Sequence, residues 1–135
     1  MNKSIKRLMI TGISVMTIAS MIPTNVFAAK RKYSFSVKTS QNSGMAYSAA
    51  NPKDDNEQTA YVYTTSGNIV DNDIFYMAVY KTPSSGNKVT KWKRVMSNSG
   101  KYLISYTSYR GKGSNNYLCG DTDKYSVSVE GYWYS

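Results

Sequence analysis

The sequence contains no histidine, a single cysteine and only three phenylalanines among its 135 residues. Without histidine the chain has no Ser-His-Asp or Cys-His nucleophile and no imidazole ligand for zinc. One cysteine forms neither an internal disulfide nor a thiolate metal cage. There is also no Gly-x-Ser-x-Gly motif and no phosphate-binding glycine loop. We therefore expect a protein that is not an enzyme and that needs no metal or cofactor.

Acidic residues are scarce, with eight Asp and Glu against 17 Lys and Arg. Two acidic pairs, Asp71 with Asp73 and Asp121 with Asp123, alternate with a polar residue in the way that calcium ligands do. Neither pair is accompanied by the further oxygen ligands and the closing Glu of a calcium loop. Turn capping is therefore the role that we expect for both pairs, with calcium binding as the alternative.

The first 28 residues have the organisation of a secretory signal peptide. Three basic residues precede an apolar stretch at residues 8–22, and Val26-Phe27-Ala28 has the small-residue spacing of a cleavage site. A transmembrane anchor is the alternative, but the stretch is short and is broken by Gly12 and Pro23. We expect cleavage after Ala28, which leaves residues 29–135 as one secreted, extracellular domain.

The expected secreted domain is cationic, with 14 basic and 8 acidic side chains and a formal charge of +6. Outside a bacterial cell, such a protein is attracted to polyanions such as teichoic acids and anionic lipid headgroups. The same charge would also keep a small domain in solution without any binding role. Composition alone leaves both possibilities open.

Apolar and polar residues alternate with a period of two along the secreted part of the chain, which is typical of half-buried β-strands. Clusters of Gly, Ser, Asn and Pro separate the alternating segments and indicate turns. The strands are expected near residues 33–37, 45–49, 58–65, 73–81, 89–96, 101–109, 116–120 and 124–133. This pattern predicts an all-β fold: a single-domain antiparallel β-sandwich or small barrel of about seven to eight strands.

Two of these strands carry more detailed expectations. Both faces of the strand at residues 73–81 are apolar, so we expect it to lie at the centre of a sheet. In the last strand, Tyr125, Val127 and Val129 are expected to face the core. Gly131 is expected to interrupt that alternation as a bulge or bend.

A basic segment with one tryptophan is the first candidate binding site. Its residues are Lys88, Lys91, Trp92, Lys93 and Arg94. Basic side chains beside an indole suit contact with phosphate polymers or a membrane interface. The alternative is structural, because lysines on an edge strand prevent aggregation between sheets while the tryptophan packs inward.

The abundance of tyrosine indicates a second candidate surface. The chain has 13 Tyr and 2 Trp, and three aromatic residues follow one another at Tyr132, Trp133 and Tyr134. Exposed rings of this kind can stack on sugars and offer hydrogen bonds at their polar tips. Tyrosine is also a common strand residue that tolerates half-burial, so a purely structural role remains the alternative.

Cys119 follows Leu118 in an expected short strand. A buried thiol there would pack as a small hydrophobic side chain. An intermolecular disulfide is the alternative for an odd cysteine in a secreted protein.

Three short runs carry a resemblance to known proteins. They are Tyr33-Ser34-Phe35-Ser36-Val37-Lys38, Lys91-Trp92-Lys93 and the closing stretch at residues 125–133. The chain resembles the small secreted Gram-positive proteins of the domain-of-unknown-function family 2712, a resemblance that covers most of residues 29–135. More loosely, its size, leader and Gly/Tyr/Trp-rich β character are similar to lactococcin-like bacteriocins, which implies action on the envelope of related bacteria. The absence of histidine departs from the lactococcin pattern, and no functional residues follow from either resemblance.

Together these observations predict a small, secreted, cationic protein that is bacteriocin-like and acts at the bacterial cell envelope. Its expected partners are envelope polyanions or a surface receptor, with peripheral membrane contact and no specific nucleic acid. One alternative is a surface-, polyanion- or carbohydrate-binding module of the extracellular matrix. Another is a secreted protein inhibitor that pairs through an exposed edge strand.

Overall fold

The computed structural model describes residues 29–38, 42–70, 73–122 and 126–135. The predicted leader, Asp71, Asp123 and Tyr125 lie outside these residues. The described residues form nine β-strands and no α-helix. The strands are β1 (Arg31–Val37), β2 (Met45–Tyr47), β3 (Asn51–Pro52), β4 (Thr59–Gly67), β5 (Phe75–Tyr80), β6 (Lys93–Arg94), β7 (Gly100–Ser105), β8 (Asn115–Thr122) and β9 (Val127–Tyr134). A 3-10 turn at Asn42–Gly44 precedes β2.

The strands form two antiparallel sheets. One has four strands in the order β1-β9-β4-β7, and the other has the order β2-β8-β5-β6 with β3 also paired to β8. The prediction of an all-β antiparallel sandwich is therefore confirmed. The number of strands exceeds the expected seven to eight because β3, a two-residue strand, has no alternating pattern that would reveal it.

The core lies between the two sheets and is built from every second side chain of their strands. On β1 and β9 the burial alternates strictly, as the sequence pattern requires. Its largest members are Tyr33, Phe35, Phe75, Met77, Leu118 and Trp133. Full burial of one such side chain contributes about 1.5–3 kcal/mol, so this layer dominates the stability of the fold.

β5 lies between β8 and β6, which confirms its predicted central position. Its residues Phe75, Met77 and Val79 face the other sheet. On its opposite face Ala78 and Tyr80 belong to a second, smaller cluster of buried side chains. Both faces of the strand are therefore covered, as its continuous apolar sequence indicated.

The predicted interruption at Gly131 is wrong for β9 itself. Val127, Val129, Gly131 and Trp133 are all buried, so the alternation continues through the glycine. The register between β4 and β9 shifts instead on β4, where Thr64 pairs with Gly131 and the extra residue is Thr65. The glycine marks a close approach of two backbones, and the bulge lies on the facing strand.

Candidate functional site

The basic segment, residues 88–94, crosses between one edge of each sheet. Lys88 forms a bridge with Tyr80 at the end of β5, and Thr90 forms one with Tyr106 just after β7. The segment then returns to β5 through β6, where Lys93 pairs with Met77. The continuous strand predicted at residues 89–96 is therefore wrong, since only β6 is a strand and the rest crosses between the edges of the two sheets.

Hydrogen bonds to β5 and to the residues after β7 hold this crossing in place. The backbone N–H of Val79 donates to Oγ1 of Thr90 at 2.9 Å. The backbone N–H of Thr107 donates to the carbonyl of Val89 at 2.9 Å. Val89 and Thr90 are buried, so these contacts satisfy polar groups that would otherwise be costly in the interior.

The four basic side chains of the segment, Lys88, Lys91, Lys93 and Arg94, are all exposed. Among the described residues, none of these side chains lies within 4.0 Å of a carboxylate oxygen, since the ion pair there is Lys53 with Asp55. The segment therefore presents four positive charges without a direct ion-pair partner in the described part of the chain. Exposed basic side chains are expected both for a polyanion-binding surface and for an edge strand that avoids aggregation.

Trp92 holds the segment against the five-stranded sheet. It is half-buried and packs on Tyr80 with 6.1 Å between ring centroids, in the cluster that also contains Cys119. Nζ of Lys88 lies 4.9 Å from the Trp92 ring, a cation–π contact. A groove of about 330 Å³ separates Lys91, Trp92 and Lys93 from β7. The tryptophan thus serves partly as an anchor, while the lysines around it remain in solvent.

The structure separates the three C-terminal aromatic residues. Trp133 is fully buried in the core, so the expectation that it belongs to an exposed aromatic surface is wrong. It occupies the same face of β9 as Val127 and Val129, because the alternation is not interrupted. Tyr132 and Tyr134 point to the other face and are half-buried on the outside of the four-stranded sheet.

Two tyrosines of β4, which were not predicted as site residues, complete this outer surface. Tyr63 pairs with Tyr132 and Tyr61 with Tyr134 across the two strands. The rings of Tyr63 and Tyr132 stack with 4.7 Å between centroids and 14° between planes. The alternation of Tyr61 and Tyr63 was visible in the sequence, but the register that brings them beside β9 was not.

Lysines cover the remaining faces of the stacked pair. Nζ of Lys30 lies 4.0 Å from the centroid of Tyr132, and Nζ of Lys101 lies 5.6 Å from that of Tyr63. Each such contact at an exposed site is worth about 0.5–1 kcal/mol. Because both outer ring faces are covered, stacking of a sugar on this pair would require the lysines to move. This surface therefore fits charge-based contacts better than sugar stacking.

Lys53 is a lysine with a different role, since it is almost fully buried. Its ammonium group donates to the carbonyl of Glu57 at 2.6 Å and lies 3.5 Å from the carboxylate of Asp55. It also lies 4.9 Å from the ring of Tyr106. These partners satisfy the buried charge, so Lys53 belongs to the fold and not to the binding surface.

The predicted turn-capping role is confirmed for Asp73. Its carboxylate accepts a hydrogen bond from the backbone N–H of Val70 at 3.0 Å, and its own N–H donates to the carbonyl of Val70.

Within the part of the chain that the structure describes, no group of three or more His, Cys, Asp or Glu residues could hold a metal ion. No helix in that part is long and apolar enough to span a membrane.

Cys119 is fully buried, as expected for a thiol that packs as a small hydrophobic side chain. Burial and then the negative charge of Asp121 raise the pKa of the Cys119 thiol to about 12. Since only the thiolate is nucleophilic, we expect native protein to resist iodoacetamide at about pH 8, and denatured protein to be alkylated at once. Mass spectrometry of both samples measures this, and a disulfide-linked dimer or rapid alkylation of the native protein would contradict it.

Comparison with known proteins found no matching family model, no matching curated protein and no matching solved structure.

Proposed function

We propose that the chain is a secreted, non-enzymatic protein that binds anionic polymers of the bacterial envelope through its basic segment and acts there in a bacteriocin-like manner. The observation that carries the proposal is the exposure of Lys88, Lys91, Lys93 and Arg94 without a carboxylate partner. We also propose that the chain is related to the domain-of-unknown-function family 2712 and, more loosely, to lactococcin-like bacteriocins.

The clustering of the segment's charges favours attraction to an anionic polymer at short range. An exposed charge acts over about the Debye length, about 8 Å at physiological ionic strength, so neighbouring charges of one sign add up for a polymer that lies against them. No described carboxylate forms an ion pair with the segment. Asp121 on β8 is aligned with Arg94 across β5, and the remaining described carboxylates lie on other elements. Three of these, Asp54, Asp55 and Glu57, share the loop between β3 and β4. The resulting asymmetry of charge would orient the protein as it approaches an anionic surface.

The experiment starts from the full-length chain, expressed in a Gram-positive host so that the leader is processed and the protein is collected from the medium. Intact mass then tests cleavage after Ala28. Binding of this secreted protein to purified cell walls is measured at increasing NaCl, before and after chemical extraction of the teichoic acids. We expect tight binding that weakens steeply with salt and that is largely lost after extraction.

Viable counts of several Gram-positive strains against a concentration series test the bacteriocin part. Dose-dependent killing of a subset of strains is the expected result. Wall binding without killing would leave the polyanion proposal standing and remove the bacteriocin-like action. Binding that is insensitive both to salt and to extraction would overturn the proposal as a whole.

A further inference from the structure

A groove crosses the outer face of the four-stranded sheet, well separated in sequence from the basic segment. At one end it has a volume of about 480 Å³ and is bordered by Lys30, Lys32 and Tyr132. It continues along β1 and β9 into a shallower hollow of about 180 Å³. Ser34 and Glu130 border both hollows, so the two lie next to each other on this face and together form the groove.

The floor of the groove consists of small hydroxyl side chains. They come from three neighbouring strands and point outward by the alternation of the sheet: Ser34, Ser36, Thr65, Ser66 and Ser128. All five are exposed. Lys32 and Tyr132 pair with each other across β1 and β9, and their taller side chains border one end of this low floor. Such a surface offers many hydrogen-bond donors and acceptors and little apolar area.

One carboxylate lies in the middle of the groove. Glu130 is exposed, and its Oε1 accepts a hydrogen bond from Oγ of Ser66 at 2.6 Å. Neither Lys30 nor Lys32 forms an ion pair with Glu130, although both lysines border the same groove. A carboxylate here repels a ligand that is densely anionic, and it accepts hydrogen bonds from a ligand that carries hydroxyl groups.

We propose that this groove binds an acidic glycan chain. The sugar hydroxyls would hydrogen-bond to Glu130 and the serine floor, and an anionic substituent of one sugar unit would lie against Lys30 and Lys32. The arrangement of one cationic end, one central acceptor and a hydroxyl floor fits a chain with many hydroxyls and spaced negative charges. This binding site goes beyond the basic segment and shares no residue with it.

The test compares two probes of equal length by isothermal titration calorimetry on the secreted protein. The acidic probe is a hyaluronan tetrasaccharide, which carries a carboxylate on alternate sugars, and the neutral probe is the same tetrasaccharide with its carboxyl groups reduced to alcohols. We expect the acidic probe to bind more tightly than the neutral one. In the double variant Lys30→Gln/Lys32→Gln, the preference for the acidic probe should disappear, while weak binding of both probes remains. Equal affinity of the unmodified protein for the two probes, or no binding of either, would overturn the proposal.

Glu130→Gln distinguishes hydrogen bonding from simple charge attraction when it is measured with the neutral probe, which has no charge to attract or repel. If Glu130 accepts hydrogen bonds from sugar hydroxyls, the variant should bind the neutral probe about fivefold more weakly, because an amide oxygen is a weaker acceptor than a carboxylate. If the groove only attracts anions, the variant should bind the neutral probe unchanged and the acidic probe more tightly, which would overturn the proposal. The amide oxygen of Gln still accepts from Ser66, so we expect the fold to be retained, and thermal unfolding checks this.

Glycan binding at the groove can be tested separately from wall binding by the basic segment. A variant with the four basic residues of segment 88–94 changed to Gln should retain glycan binding at the groove. Loss of glycan binding in that variant would show that the segment, and not the groove, holds the glycan. Wall binding that persists when no glycan binds would overturn the groove alone.

Discussion

Replacing Gly131 with alanine is expected to remove most of the free energy of unfolding. A Cβ atom at this position would overlap the carbonyl oxygen of Tyr63 and would lie 2.9 Å from the Tyr33 hydroxyl. That hydroxyl already donates to the same carbonyl at 3.0 Å. β9 is held on one side by β1 and on the other by β4, so the backbone cannot move away from either neighbour. We expect a loss of about 4 kcal/mol or more, against a typical total of about 5–15 kcal/mol for a small domain.

Gly86 provides the matched control for this substitution. It has φ of +83°, and a Cβ atom there would meet nothing within 4 Å. Gly86→Ala should therefore cost only the backbone strain, about 1–2 kcal/mol. Urea unfolding followed by tryptophan fluorescence gives both values, since Trp133 is buried in the native core. If Gly131→Ala were no less stable than Gly86→Ala, the close pairing of β4 with β9 would be wrong.

Changing Lys88, Lys91, Lys93 and Arg94 together to Gln should weaken binding to teichoic-acid-bearing walls at least about a hundredfold at physiological salt, since each basic side chain near an anionic surface contributes about 1 kcal/mol. If all four contact phosphates, the slope of log affinity against log salt should fall in magnitude by about three. Stability should change little, because all four side chains are exposed. The one stabilising contact that is lost is that of Lys88 with Trp92, worth about 0.5–1 kcal/mol.

The control for net charge changes four exposed basic residues on other parts of the fold, namely Arg31, Lys38, Lys101 and Lys112. This variant has the same formal charge as the first. If position matters, it should keep most of the wall affinity and of the salt dependence. Equal losses in the two variants would mean that overall charge and not the basic segment is responsible for binding. A collapse of thermal stability in the first variant would show that the segment is structural.

The strands were readable from the sequence because burial on one face leaves a period of two. β1, β4 and β9 each show it, and their buried residues are the ones that alternation selects. Strand β3 has two residues and β6 another two, which is too short for a period to appear. Pairing partners were not predictable, since register depends on contacts between residues far apart in the chain.

The same limit explains what was missed at the candidate sites. Exposure of the basic segment followed from its charge, because unpaired lysine and arginine are rarely buried. The outward row of Tyr63 and Tyr132 and the serine-floored groove beside it exist only once β4 lies next to β9. Trp133 was misplaced because the glycine two residues before it was interpreted as a break in alternation, whereas glycine there relieves contact with the neighbouring backbone.

The placement of β9 has a consequence for how the protein is made. It is the last of the described strands along the chain, yet it lies inside its sheet, where it is the only strand of that sheet that pairs with β1. The first strand and the last must therefore meet before this sheet can close, which makes its contacts non-local and its folding slow. A nascent chain that still lacks β9 cannot complete the sandwich. Such a chain would stay unfolded until residues 127–134 have been synthesised and can pair with β1.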